Sequence, residues 1–270
     1  MKKRLLTLLL SVITCIAGSA HYTQQVEITI DKGLSCNAVR SFAKDIYGRL
    51  WVGTTNGANL ISNGNIKQYQ YFTVGGDNIV AGDVISIGCS RRAILATTNH
   101  IIDFDPDNDS TRLVTYEGRV LRTEYIMMSG DTAYFFNLPL GAVMMYDLNT
   151  CTTQMVAQFP SERQFHFTKI LKVTDDSSQI LLVEDERGIY HLNTTTGALT
   201  YMDKLGNNLL SRTAFIDSKH ILWIAYKGKG ITGYYVKSGF DVIAHYDSGN
   251  SGLPDDNITY LDELSDSSLL

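Results

Sequence analysis

The 270-residue sequence predicts an all-β chain: a β-propeller of four-stranded blades, about five of them plus a partial sixth, in an incomplete ring. Three observations carry this expectation. A block of sequence recurs at intervals of about 43 residues, each copy holds four short apolar runs separated by turn dipeptides, and helical periodicity is absent after the first twenty residues.

Lys2, Lys3 and Arg4 precede a mostly apolar stretch, residues 5–16, and Ala17-Gly18-Ser19-Ala20 then offers small residues of the kind a signal peptidase accepts. Residues 1–20 therefore read as a secretory signal, with the mature chain starting near His21 and residues 21–270 forming the propeller domain. The apolar stretch is shorter than the roughly 20 residues a membrane-crossing helix needs, and Cys15 behind Thr14 is poorly placed for a lipid anchor. Over the whole chain, 44% hydrophobic residues can fill a large core. Lys and Arg number 23 against 28 Asp and Glu, a net charge of −5, so no basic field exists to hold a polyphosphate backbone. Nucleic acid is excluded as an expected partner.

The first copy of the repeat shows the order of parts. Residues 39–44 read as a strand, 45–48 as a turn, 50–54 as a second strand, Asn56-Gly57 as a turn and 58–62 as a third strand. Asn63-Gly64 is the dipeptide of a tight two-residue hairpin, and 66–72 reads as the fourth strand. Arg49-Leu50-Trp51-Val52-Gly53-Thr54-Thr55-Asn56 returns 43 residues later as Arg92-Ala93-Ile94-Leu95-Ala96-Thr97-Thr98-Asn99. Weaker copies centre on Phe135, Leu182 and Trp223. The hairpin between third and fourth strands recurs at Asp105-Pro106-Asp107-Asn108, Asn149-Thr150, Thr196-Gly197 and Ser238-Gly239. One such blade cannot offset its own ordering entropy, so blades must stack, and Trp51 and Trp223 are expected between them.

Gly252-Leu253, with Ile258 after it, repeats the Gly33-Leu34 pair and Val39, opening a sixth copy whose second strand begins near residue 270. Residues 26–30 hold the place of a fourth strand without its own blade. These features predict a piece of a longer chain, with unpaired strand edges at both ends that favour association, a homodimer included.

The string Gly33-Leu34-Ser35, Asn37, Val39-Arg40-Ser41, Asp45, Gly48, Leu50-Trp51-Val52-Gly53-Thr54, Gly57 resembles the two-component regulator propeller repeat. The first copy matches closely, the fifth and sixth in part, the others in outline. The resemblance implies the periplasmic sensor region of hybrid two-component systems of Bacteroidetes. In those proteins a signal sequence precedes two propellers, an immunoglobulin-like domain, a membrane helix, a kinase, a receiver and a DNA-binding domain. It also implies an oligosaccharide ligand from complex glycans, and as partners the remaining propeller and the downstream signalling domains. No kinase or receiver lies within these residues, so phosphotransfer is not assigned to them.

In a propeller the turns between second and third strands share one face with the connectors between blades, and ligands usually bind there. Those turns offer Asn56, Asn99, His100, Asn137, Asp185, Glu186, Arg187, Tyr226 and Lys227 as candidate ligand-binding residues. Planar amides and Arg suit sugar hydroxyls or carboxylates, and Tyr gives a stacking face. No cofactor, metal or catalytic residue is expected. Gly228, Gly230 and Gly233 satisfy a dinucleotide-type spacing, yet Tyr234-Tyr235-Val236 continues as a strand where a helix is needed. The acidic run at Asp103, Asp105, Asp107 and Asp109 lacks the Gly and Glu of a calcium loop. Cys36, Cys89 and Cys151 are an odd set without metal-ligand spacing, read as apolar thiols. Two alternatives stay open: a secreted interaction scaffold like a secretion-system component, and a propeller lyase or glycosidase, which would need paired carboxylates facing the channel.

Overall fold

A computed structural model describes residues 27–160, 164–184, 187–206, 210–263 and 267–269. The signal-sequence reading therefore lies outside the described residues, as do Asp185 and Glu186.

The four apolar runs of each copy form an antiparallel sheet in sequence order. Blade 1 is β1 (Val39–Lys44), β2 (Leu50–Thr54), β3 (Gly57–Ser62) and β4 (Asn65–Tyr69), followed by a hairpin, β5 (Tyr71–Val74) and β6 (Asp77–Val80). Blade 2 is β7 (Val84–Cys89), β8 (Ala93–Thr97), β9 (Ile101–Asp105) and β10 (Ser110–Leu113), followed by a second hairpin, β11 (Thr115–Tyr116) and β12 (Arg119–Val120). Blade 3 is β13 (Ile126–Ser129), β14 (Thr132–Asn137), β15 (Ala142–Asp147) and β16 (Thr152–Gln158). Blade 4 is β17 (Phe167–Lys172), β18 (Gln179–Glu184), β19 (Gly188–Asn193) and β20 (Leu199–Tyr201). Blade 5 is β21 (Ser211–Ile216), β22 (Ile221–Tyr226), β23 (Ile231–Tyr235) and β24 (Asp241–Tyr246).

In blades that lie between two others the second strand is covered on both faces, which is why these strands read as unbroken apolar runs; all of β8 is buried. Outer strands such as β10 and β24 are partly or largely exposed. Apolar layers fill each gap between blades. Trp51 of blade 1 is 1% exposed, stacks on Tyr69 with centroids 5.6 Å apart and meets Phe104 of blade 2 edge-on at 6.1 Å. Trp223 faces outward from blade 5 onto Leu253, Ile258 and Leu261, so the partial sixth copy packs where the next blade belongs. Its first turn repeats a polar link seen earlier: the Ser218 hydroxyl donates to Glu263 at 2.6 Å as the Ser90 hydroxyl donates to Asp131 at 2.6 Å. A bridge between Glu263 and Leu269 starts its first strand pair. Among the described residues the array is open, and on β1 Phe42 is 63% exposed.

Two expectations shift. The fourth strand of blade 1 ends at Tyr69, whose buried ring closes the core, and residues 71–74 instead pair with 77–80 across Gly75-Gly76. Residues 27–30 form no strand. The Gly33 and Leu34 N–H groups bond back to Ile30 and Thr29, making a 3-10 turn over Ile30–Lys32, because a strand persists only with an edge to pair against.

Two of the three glycines of the dinucleotide-like spacing have packing duties. Gly230 sits at φ +68° immediately before β23, where an added Cβ would overlap the Tyr246 carbonyl, and Gly233 lies 2.8 Å from the Trp223 ring by the same measure. Gly57 holds the equivalent place in blade 1 against the Tyr69 carbonyl. We predict that Gly230→Ala destabilises by roughly 2–4 kcal/mol in urea unfolding, from left-handed strain plus overpacking. Gly64→Ala, which meets open space in its turn, is expected to cost only about 1 kcal/mol.

Candidate functional site

The connectors between blades and the turns between second and third strands converge on one end of the array. Across blades 2 to 4 they enclose a cavity of about 650 Å³. Its floor is aromatic. Phe136 at the end of β14 meets Phe159 edge-on at 5.6 Å, and Phe159 lies 4.5 Å from Phe165, all three nearly buried. Leu138-Pro139-Leu140-Gly141, the turn after β14, forms one wall. The polar lining comes from Thr97 and Thr98 of the β8 turn, from Arg122, Thr123 and Glu124 ahead of β13, and from Gln158 and Gln164 around the connector to β17.

This wall is held by specific bonds. Asn137 is 1% exposed; its amide donates to the Arg122 carbonyl and its oxygen accepts the Leu140 N–H, both at 3.0 Å. It thus ties the connector to the turn that faces it. Thr123, also buried, donates its hydroxyl to the Tyr125 carbonyl at 3.0 Å. His166 Nε2 and Glu124 Oε2 lie 2.5 Å apart, joining one connector to the next.

The sequence-derived candidates are spread around the same end without converging. Asn56 is exposed, and its amide donates to the Ser35 carbonyl at 3.4 Å. Asn99 is exposed and His100 half-buried beside it. Arg187 is exposed, its Nη1 3.8 Å from Glu184. Lys227 is exposed, while Tyr226 is 1% exposed with its hydroxyl bonded to the Leu205 carbonyl at 2.5 Å and to Tyr234 at 2.9 Å. Burial and that tyrosine pair push the Tyr226 hydroxyl far up, so it stays protonated. None of the described candidates lines the cavity, though Asn137 shapes it. The lining residues lie mostly on connectors and on the turns between second and third strands, and the signal for the connector part is the Phe159-Pro160 and Gln164-Phe165 run between two strands, rich in rings and amides for a loop.

Burial holds His100 below the ordinary imidazole value of 6.5, with Nδ1 enclosed and unpartnered. A depressed folded value means that the neutral ring stabilises the fold fully above about pH 6.5, and that this contribution is lost as pH falls through the folded value. His100→Gln is expected to flatten the pH dependence of thermal stability between pH 7 and 5; an unchanged slope contradicts it.

The other sequence features have local explanations. Asp105 Oδ1 accepts the Asp107 and Asn108 N–H groups at 3.0 and 3.3 Å, the bonds of a hairpin turn. Cys36, Cys89 and Cys151 are free and only partly buried. Cys89 packs in the layer between blades 1 and 2 and Cys151 against the layer between blades 2 and 3, where it also meets Arg112 and lies 3.7 Å from Arg92, whereas Cys36 shares a hydrogen bond with the Thr55 hydroxyl at 3.2 Å, a polar setting outside the apolar reading. No group of three metal-ligating side chains occurs among the described residues. Among them, no helix is long and apolar enough to cross a membrane.

The family model described as Two component regulator propeller matches residues 33–56, from Gly33 through β1 and β2 to Asn56. No curated protein matches the chain. Three solved structures share its architecture. The extracellular domain of a hybrid two component system from B. thetaiotaomicron superposes with a TM-score of 0.55 at 16% identity, over 90% of this chain and 40% of that one. PorZ, a surface component of the type-IX secretion system of Porphyromonas gingivalis, gives 0.57 at 16% identity, over 84% and 36%. Virginiamycin B lyase from Staphylococcus aureus gives 0.58 at 12% identity, over 76% and 69%. The chain thus spans well under half the length of the first two, and at these identities the likeness is one of fold. This chain is a β-propeller array whose first blade opens with a segment matched by the two component regulator propeller model.

Proposed function

We propose that the chain is an exported ligand-sensing propeller of a hybrid two-component receptor and that it binds an oligosaccharide derived from complex glycans. The observation that carries this reading is the cavity, with aromatic edges beneath and amides, hydroxyls and a guanidinium around. Such a composition suits sugar rings, which present apolar C–H faces and hydroxyl edges together. The repeat at residues 33–56 and the resemblance of the fold to an extracellular domain of a hybrid system support the receptor context. On this reading residues 1–20 are removed, residues 21–270 lie outside the cytoplasm, and the remaining blades and signalling domains belong to the same receptor. Intact-mass analysis of exported protein is expected to place the mature N-terminus near His21; retention of residues 1–20 contradicts export by cleavage.

Titration calorimetry of an oligosaccharide panel tests the ligand. Gln158→Ala with Gln164→Ala is expected to weaken binding at least about tenfold, since each amide contributes hydrogen bonds that water replaces poorly, with little change in thermal midpoint. No binding by any panel member sinks the proposal. The likeness to PorZ favours a second reading, a surface scaffold, for which a protein partner and no sugar would be captured. Cleaved panel sugars would point instead to a lyase or glycosidase.

A further inference from the structure

We infer that the oligosaccharide carries an anionic group, a carboxylate or a sulfate, held by Arg122; the inference rests on the cavity being the sugar site. Among the described lining residues Arg122 is the cation and Glu124 the acid. The Glu124 carboxylate already has a partner in His166 at 2.5 Å. Arg122 has none. Arg40, Arg49, Arg91, Arg92 and Arg187 each face a carboxylate within 4 Å and Arg112 meets Cys151, whereas the Arg122 guanidinium, like that of Arg119 on the second hairpin, has no ion pair or hydrogen bond among the described residues, and of these two only Arg122 lines the cavity. In a chain of net charge −5, an exposed guanidinium left without a carboxylate beside an aromatic floor is a local exception.

Its mounting is rigid as well. The Arg122 carbonyl is clamped by the buried Asn137 amide, and the next residue, Thr123, is buried and bonded. The side chain therefore starts from a fixed point, which lowers the ordering cost of binding. A guanidinium presents paired N–H groups that match a planar carboxylate or two sulfate oxygens, a geometry that a hydroxyl cannot use as fully. The adjoining apolar floor strengthens that attraction by excluding water from one side.

The test is calorimetric titration of the chain with three matched probes: a neutral galacto-oligosaccharide, an oligogalacturonate and a sulfated galacto-oligosaccharide. We expect at least one acidic probe to bind tenfold or more tighter than the neutral one, with the preferred probe separating carboxylate from sulfate. Arg122→Gln is expected to erase that preference, weakening the acidic probe at least tenfold and the neutral probe by much less, with the thermal midpoint unchanged, and Arg122→Lys to restore part of the preference. Equal affinities for neutral and acidic probes, or a preference that survives Arg122→Gln, overturn the inference and leave sugar binding standing. Failure of all three probes to bind removes both.

Discussion

Replacing Trp51 with alanine is expected to lower the stability of the chain by about 3–5 kcal/mol, the range for truncating a large buried aromatic side chain. Trp51 belongs to an aromatic stack that spans the first gap: it lies over Tyr69, Tyr69 meets Phe104 at 4.8 Å, and Phe72 meets Phe104 at 5.0 Å. The surrounding strands are hydrogen-bonded on both sides and cannot collapse into the space left behind. Trp223→Ala is expected to cost less. Its ring is covered by the single sixth-copy segment through Leu253 and Leu261, which can shift inward. Urea unfolding of both variants checks the order; a Trp51→Ala loss below about 1 kcal/mol would mean that blade stacking does not carry the stability assigned to it.

Asp103→Ala should be comparably damaging. Asp103 is wholly buried between blades 2 and 3, where Oδ2 accepts the Tyr146 hydroxyl at 2.6 Å and faces Arg92 Nη2 at 2.7 Å. Burial raises its carboxyl group, while the Tyr146 hydroxyl, Arg92 and Arg112 oppose that rise. Removing the carboxylate strands a largely buried guanidinium and an unpaired hydroxyl, an expected loss of about 3–5 kcal/mol. The double change Asp103→Leu with Arg92→Met should recover much of it, because apolar packing often equals a buried ion pair. A double variant as unstable as Asp103→Ala contradicts that explanation.

The blades were legible because both faces of their second strands are buried, which writes the same apolar run into each copy. Turn chemistry marked the hairpins: Asn63-Gly64 takes φ +49° and +77°, the left-handed pair a tight hairpin turn requires. The two extra hairpins were obscured because their short strands follow the fourth strands closely, although Gly75-Gly76 and Glu117-Gly118 marked their turns. Candidate site residues were harder to read. Asn137 and Tyr226 occupy the expected turn positions, yet their polar groups are spent on neighbouring backbone and on Tyr234. Arg122, Gln158, Gln164 and Phe165 come together only through the spacing of three blades, which local sequence does not encode.

Hydrogen-exchange mass spectrometry, with and without the tightest-binding oligosaccharide of the panel, tests the central claim most directly. The account predicts new protection in peptides covering residues 121–125, 138–141 and 158–165, with the turns at Asn56-Gly57, Arg187-Gly188 and Lys227-Gly228 unchanged. Protection confined to those three turns, or none anywhere, would contradict the assignment of the cavity as the sensing site.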